Sequence, residues 1–182
     1  AAADAVPVIL PHEPIALEGM DQRLIHDQRV KAMNPIALDE LPSGTGFLMV
    51  QFGADTRAEV DAAARAMLAD LDDSPHDADV AFLDLPERED ELWAVRESGL
   101  GATAHIPGHP DTWPGWEDSA VAPGKVGDYL RDLEALYEEF GYADESAPAL
   151  YGHFGQGCVH TRIPFRLTDP DGVTAYRRFL ER

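Results

Sequence analysis

The 182-residue chain has one cysteine, Cys158, and only two lysines, Lys31 and Lys125. A single thiol excludes an internal disulfide and fits a reducing compartment. With 14 basic against 34 acidic residues, the formal net charge is −20. A surface of that sign repels nucleic-acid backbones and anionic lipid, so neither is expected as a partner, and an anionic substrate would need locally concentrated arginine. No apolar run approaches the roughly 20 residues that span a bilayer. The opening AAADAVPVILPHEP lacks a basic region and does not read as a signal peptide. There is no G-x-G-x-x-G after a strand and no Walker pattern, which argues against a dinucleotide fold or a phosphate loop.

What is present is a core-forming composition, 45% hydrophobic and 26% charged, enough for one domain of ordinary size. Residues 1–18 are Pro-rich and apolar and read as an extended arm. The spacing of Met20, Leu24 and Met33 predicts a helix over 20–33, ending before Asn34-Pro35. IALDELP reads as a short helical turn. GFLMVQFGAD (46–55) reads as a buried strand. Thr56 with Glu59 forms a capping box for a helix whose stripe is Val60, Ala64, Met67, Leu68 and Leu71. DVAFLDLP (79–86) reads as a second strand, followed by the helix EREDELWAVRESG.

A long Pro- and Gly-rich loop with Trp113 and Trp116 follows and reads as a lid packed down by those rings. His105 and His109 lie within it at a spacing that suits metal only on a helix, which Pro107 and Gly108 forbid. SAVAP recovers as a strand. Val126, Leu130, Leu133, Leu136, Tyr137 and Phe140 share one helix face, closed by Gly141. A last helix is capped near Asp169. The layout is α+β, ferredoxin-like, with a mostly antiparallel sheet and helices packed on one face.

The stretch LYGHFGQGCVHTRIPF (150–165) carries His153 and His160 seven positions apart. On one unbroken strand those residues face opposite sides. Gly155 and Gly157 permit a turn or bulge with positive φ, after which the two imidazoles converge. Two readings stay open: a ligand-binding pair, or two hydrogen-bonded histidines near a hairpin. As a metal site the pair is short of the usual three protein ligands; Glu117, Asp118, another carboxylate or a group outside this chain would have to complete it. Cys158 reads as a small hydrophobe rather than a nucleophile.

YGHFGQGCVHTRI resembles the G-H-x-G-D-G-N-x-H-x-N motif of the FAD-linked oxidase C-terminal domain family, which belongs with flavoproteins of the vanillyl-alcohol-oxidase type. PIALEGMDQRL, GFLMVQFGADT, LWAVRESGLGATA, PDTWPGWEDSAVAP and GDYLRDLEALYEEFGY are similar, in order, to further blocks of bacterial members that also carry iron–sulfur motifs, so the resemblance covers about residues 14–182. It implies the substrate domain of an FAD-dependent enzyme oxidising a 2-hydroxy acid such as D-lactate, glycolate or D-2-hydroxyglutarate.

By resemblance, His153 and His160 are catalytic residues and ligands of a divalent metal such as zinc, and Arg96, in the W-x-x-R-E block, clamps the substrate carboxylate. Three positions depart from the motif: Gln156, Cys158 and Arg162 replace Asp, Asn and Asn. Arg162 thereby becomes a second candidate for a carboxylate contact, against a plain place on the strand edge. The lysine that some members place just before the strand after the loop is Glu117 here. The resemblance also implies that residues 19–182 form the substrate (cap) domain. FAD would be bound mainly by a separate domain of the same polypeptide. A C-terminal G-E-H-G block and any iron–sulfur cluster would lie outside these residues, so the fragment alone is expected to be inactive. The expected location is cytoplasmic, free or peripheral to the inner face of the membrane, and a homo-oligomer is compatible with it. The competing reading is a stand-alone metal- or small-molecule-binding ferredoxin-like module without redox activity.

Overall fold

The computed structural model describes residues 2–113, 118–143 and 147–182. Five strands form one sheet: β1 (Ala16–Asp21), β2 (Gly46–Gln51), β3 (Asp118–Ala120), β4 (Tyr151–Gly152) and β5 (Cys158–His160), in the order β2-β1-β4-β5-β3. Each neighbouring pair is antiparallel. The register sets one row across the sheet, Phe47–Met20–Tyr151–His160–Asp118. The α+β class with an antiparallel sheet is therefore what the chain adopts.

Among the described residues eight α-helices surround the sheet: α1 (Val6–Ile9), α2 (Gln22–Val30), α3 (Pro35–Asp39), α4 (Arg57–Asp72), α5 (Pro86–Glu97), α6 (Gly99–Thr103), α7 (Val126–Phe140) and α8 (Pro170–Glu181). They divide between both sheet faces, where the ferredoxin-like layout supplies one. Leu17, Leu150, Val159 and Ile163 pack with α1, α4, α7 and α8 around Val6, Met67, Leu133 and Phe179. Met20, Met49 and Tyr151 pack on the other side with α2, α3, α5 and α6 around Leu24, Leu38, Val95 and Ala102. Strand side chains alternate in direction, so β1 and β2 each feed both cores.

Several local readings hold for the physical reasons given. Thr56 and Glu59 close the capping box of α4. Gly141 ends α7 in the left-handed region at φ 79°, and Asp169 caps α8 through the Gly172 amide at 2.7 Å.

Others need correction. Residues 2–12 are not extended: they form α1 flanked by two 3₁₀ turns. Val6 and Ile9 are buried at 0% and 2% exposure, and the prolines sit in first turns, where a missing amide costs nothing. The helix expected from Met20 starts at Gln22, because Ala16–Asp21 is a strand. Gly19 in that strand lies under the Phe154 ring, 2.1 Å from where a Cβ would stand. Residues 79–85, expected as a strand, do not form one.

Candidate functional site

Tyr151 opposes His160 in the β4–β5 register. Between them the chain turns through one 3₁₀ turn, Phe154–Gln156, closed by Gly157. Gly157 has φ 76°, and a Cβ there would lie 1.9 Å from the Val121 carbonyl oxygen. The glycine hinge expected between the histidines is therefore real at Gly157. Gly155 does not take positive φ; its missing side chain instead admits Leu17, whose Cβ would be 3.0 Å away. The His153 carbonyl accepts the Cys158 amide at 3.0 Å, so His153 and His160 become diagonal neighbours on one sheet face. Their rings meet edge to face, with centroids 5.4 Å apart.

A buried carboxylate organises the pair. Glu18, in the middle of β1, shows only 5% of its side chain to solvent. Its Oε1 lies 2.8 Å from His153 Nδ1, and its Oε2 accepts from Arg96 Nε at 2.7 Å. Asp118 on β3 plays a parallel part, with Oδ1 2.5 Å from His160 Nδ1. An ionised carboxylate can only accept, so each imidazole donates from Nδ1 and, in its neutral form, keeps its lone pair on Nε2. Neither Nε2 forms a hydrogen bond among the described residues.

Arg96 reaches this face from the last turn of α5. Its guanidinium stands 5.4 Å from the centre of the Tyr151 ring, and that ring lies 5.3 Å from His160. The helix is fixed from behind: Gln28 Nε2 donates to the Val95 carbonyl at 2.7 Å, and Asn34 Nδ2 donates to the Ala94 carbonyl at 3.3 Å and to Ser98 Oγ at 3.1 Å. Only Nε of Arg96 is engaged by Glu18. The terminal nitrogens make no hydrogen bond among the described residues, which leaves the bidentate end of the fork for a carboxylate.

Arg96, His153 and His160 are thus brought into one linked cluster. Arg162 engages Thr112. Its Nε donates to Thr112 Oγ1 at 3.2 Å and its Nη2 to the Thr112 carbonyl at 3.4 Å. It lines a small adjoining cavity with Arg23, Asp27 and His109. Val159 and Ile163 point into the α7–α8 core and Thr161 bonds Tyr137 on that side at 2.7 Å, so alternation puts Arg162 on the same face as His160, about 7 Å along.

Asp118 cannot serve as a third ligand while it holds Nδ1 of His160 from behind. Glu117, the other named candidate, lies outside the described residues, as does Trp116. No group of three or more His, Cys, Asp or Glu suited to a metal exists among the described residues. In the long loop, His105 bonds Asp111 at 2.8 Å and is well exposed, and Trp113 is tied to Ile163 by a β-bridge.

Glu18 is the residue sequence reasoning missed. Its signal was a lone acid inside the apolar stretch ALEGM, legible only once that stretch is read as a strand.

The profile of the family described as FAD linked oxidases, C-terminal domain, matches residues 1–182. The chain belongs to that family. It is 26% identical over 174 residues to a D-2-hydroxyglutarate dehydrogenase of Pseudomonas putida, covering 89% of this chain and 16% of that protein. Over 130 residues it is 26% identical to a protein of the same name from Escherichia coli, covering 69% and 12% of the two chains. A third, from Haemophilus influenzae, is 23% identical over 189 residues, covering 98% and 18%. The chain therefore spans less than a fifth of the length of the curated relatives it matches.

Proposed function

We propose that this family member is the substrate-binding part of an FAD-dependent oxidoreductase that oxidises a 2-hydroxy acid, with D-2-hydroxyglutarate as the leading candidate. The observation that carries this reading is the Arg96–Glu18–His153 chain beside His160. It sets a carboxylate receptor next to two proton-accepting nitrogens, the two functions a 2-hydroxy acid needs. The names of the three relatives support the choice of acid.

Arg96 receives the substrate carboxylate through Nη1 and Nη2, and Glu18, holding Nε, keeps the fork from turning. The same Glu18 fixes the tautomer of His153, so that Nε2 faces the substrate hydroxyl and takes its proton. Asp118 does the same for His160. Two imidazoles anchored by carboxylates at Nδ1 suit a divalent ion such as zinc. They supply two donors, one short of a usual catalytic set, so the remaining ligand would come from outside the described residues. Such an ion, held by His153 and His160, would act as a Lewis acid on the hydroxyl oxygen in place of direct proton transfer to His153, because the one lone pair of Nε2 serves either the ion or the proton. Arg162 is assigned to a second polar group of the substrate, because it faces the same side as His160.

FAD does not fit the described residues. The long helices begin with carboxylates, Glu59, Asp128 and Asp169 among them, which repel a diphosphate where a helix end would otherwise attract it. We therefore assign the flavin to another domain of the parent protein and derive no step through it. The iron–sulfur cluster of the resembling bacterial members is likewise assigned elsewhere, since Cys158 alone cannot ligate one. No helix among the described residues is long and apolar enough to cross a membrane, in keeping with the proposed cytoplasmic site.

Zinc titration of the chain followed by calorimetry tests the site. Wild type should take up one ion per chain, and His153→Ala and His160→Ala should each weaken uptake at least about tenfold. Equal binding by wild type and both variants would remove the pair as ligands. Kinetics of the parent protein test the substrate assignment: Arg96→Ala should raise KM for D-2-hydroxyglutarate, and an unchanged KM would refute the carboxylate clamp.

A further inference from the structure

β2 is an end strand of the sheet, and its other edge pairs with no strand among the described residues. Both faces of β2 are nonetheless covered. Leu48 and Val50 pack with Met67 and Leu71 of α4, while Phe47 and Met49 pack with Ala37 and Leu38 of α3 and Leu92 of α5. A groove runs along the free edge, between the two helix layers, with Met67, Trp93, Val80 and Phe82 among its walls. An unpaired edge roofed and floored by helices is a slot one strand wide.

Asp79–Asp84 lies along that slot. The Ser43 amide, just before β2, donates to Asp79 Oδ2 at 3.1 Å. Arg57, just after β2, donates from Nη2 to Asp84 Oδ2 at 3.0 Å and from Nη1 to the Asp84 carbonyl at 3.4 Å. The segment therefore runs in the direction of β2, and both span about 17 Å when extended. Val80 and Phe82 are 50% and 51% exposed. Between its two aspartates the segment reads Val-Ala-Phe-Leu, the unbroken apolar run expected of a parallel strand covered on both faces. The connection from β2 passes through α4, the helical crossover that a parallel neighbour requires.

We infer that Asp79–Asp84 is a strap that docks in parallel on the free edge of β2 as a sixth strand, and that the arrangement described is its undocked form. Docking buries Val80 and Phe82 against one helix layer and Ala81 and Leu83 against the other. Leu85 is the N-cap of α5, so the docked strap ties the entrance of that helix to the sheet. Release of the strap loosens the element that carries Arg96.

Hydrogen exchange of the full 182-residue chain tests this. Amides of 80–83 and the outward amides of β2 should exchange at least about 100-fold more slowly than in a free peptide of the same sequence, at any protein concentration. Ala81→Pro, which removes a ladder donor, should abolish protection in both segments together and raise binding of an apolar dye such as ANS. Asp79→Ala with Asp84→Ala keeps the apolar residues and removes the clasps. It should speed exchange at 79–84 while leaving α7 unchanged, so the test survives if the proline variant fails to fold. Free-peptide exchange at 80–83 in wild type would overturn the inference. So would edge protection that grows with protein concentration, which assigns the slot to a second copy.

Discussion

Removing Glu18 should do more damage than its single position suggests, because its carboxylate joins a buried guanidinium to His153. Its side chain is 5% exposed and that of Arg96 10%, so water cannot take over the lost contact. Breaking a buried ion pair from one side costs about 3–5 kcal/mol, chiefly because the remaining charge is stranded. Glu18→Leu should therefore lower the unfolding free energy by about that amount. Glu18→Gln should fall between, because an amide oxygen still accepts from Arg96 Nε without the charge. The double variant Glu18→Leu with Arg96→Met strands nothing, and should be at least about 2 kcal/mol more stable than the sum of the single losses predicts. Urea denaturation followed by far-UV circular dichroism reads all five proteins, wild type and the Arg96→Met single variant included, with the slope m unchanged if only stability moves. Additive losses, or a Glu18→Leu cost below about 1 kcal/mol, would refute the claim that this pair is a closed, water-free unit.

Three further outcomes are expected. Burial raises Asp21 from 3.8 to about 7, although the Leu24 and Leu150 amides both donate to it and pull the other way. The folded state keeps that proton up to about pH 7 and the unfolded state only up to about 3.8, so this group's contribution is full below pH 3.8 and fades as pH rises to 7. Asp27, also raised by burial, acts in the same direction, so Asp21→Asn should flatten the fall in stability between pH 4 and 7 without abolishing it. An unaltered pH profile would refute a buried, proton-holding Asp21. Gly157→Ala should cost at least about 2 kcal/mol in chemical denaturation, since a Cβ would collide with the Val121 carbonyl at a left-handed φ; a neutral effect would show that the hinge relaxes. Phe179→Ala should cost about 3–5 kcal/mol, because its ring is 2% exposed and packs against Tyr137, Phe140 and Phe165; a loss below about 1 kcal/mol would show that the α7–α8 core collapses around the gap.

Elements whose signals are local were legible in the sequence. The capping box at Thr56, the glycine stop at Gly141 and the aspartate cap at Asp169 each use chemistry within a few residues, and each stands where the residues put it. Elements that depend on distant partners were not. Ala16–Asp21 was divided between an extended arm and the start of a helix, because its strand character comes from β2 on one side and β4 on the other. The 2–12 stretch looked extended, because nothing in it announces that Val6 and Ile9 end up beneath α4 and α7.

The same division explains which parts of the site could be read. His153 and His160 are separated by a local hinge, so their convergence could be read from Gly155 and Gly157, of which Gly157 takes the positive φ. Arg96 came through resemblance, and its position on a helix gave no hint of its partner. Glu18 is 78 positions from Arg96 and 135 from His153, and no local pattern spans such distances. The row Met20–Tyr151–His160–Asp118 shows why the contacts form at all. Once β1 is a strand between β2 and β4, alternation sends Leu17 into one core and Glu18 to the other face, where α5 delivers Arg96. A one-residue slip of β1 would send Glu18 into the apolar cluster around Leu17 and Phe154, where it would have no partner. The buried acid thus opposes the wrong register as strongly as the apolar residues favour the right one, and the fold and the candidate site are fixed by the same strand pairing.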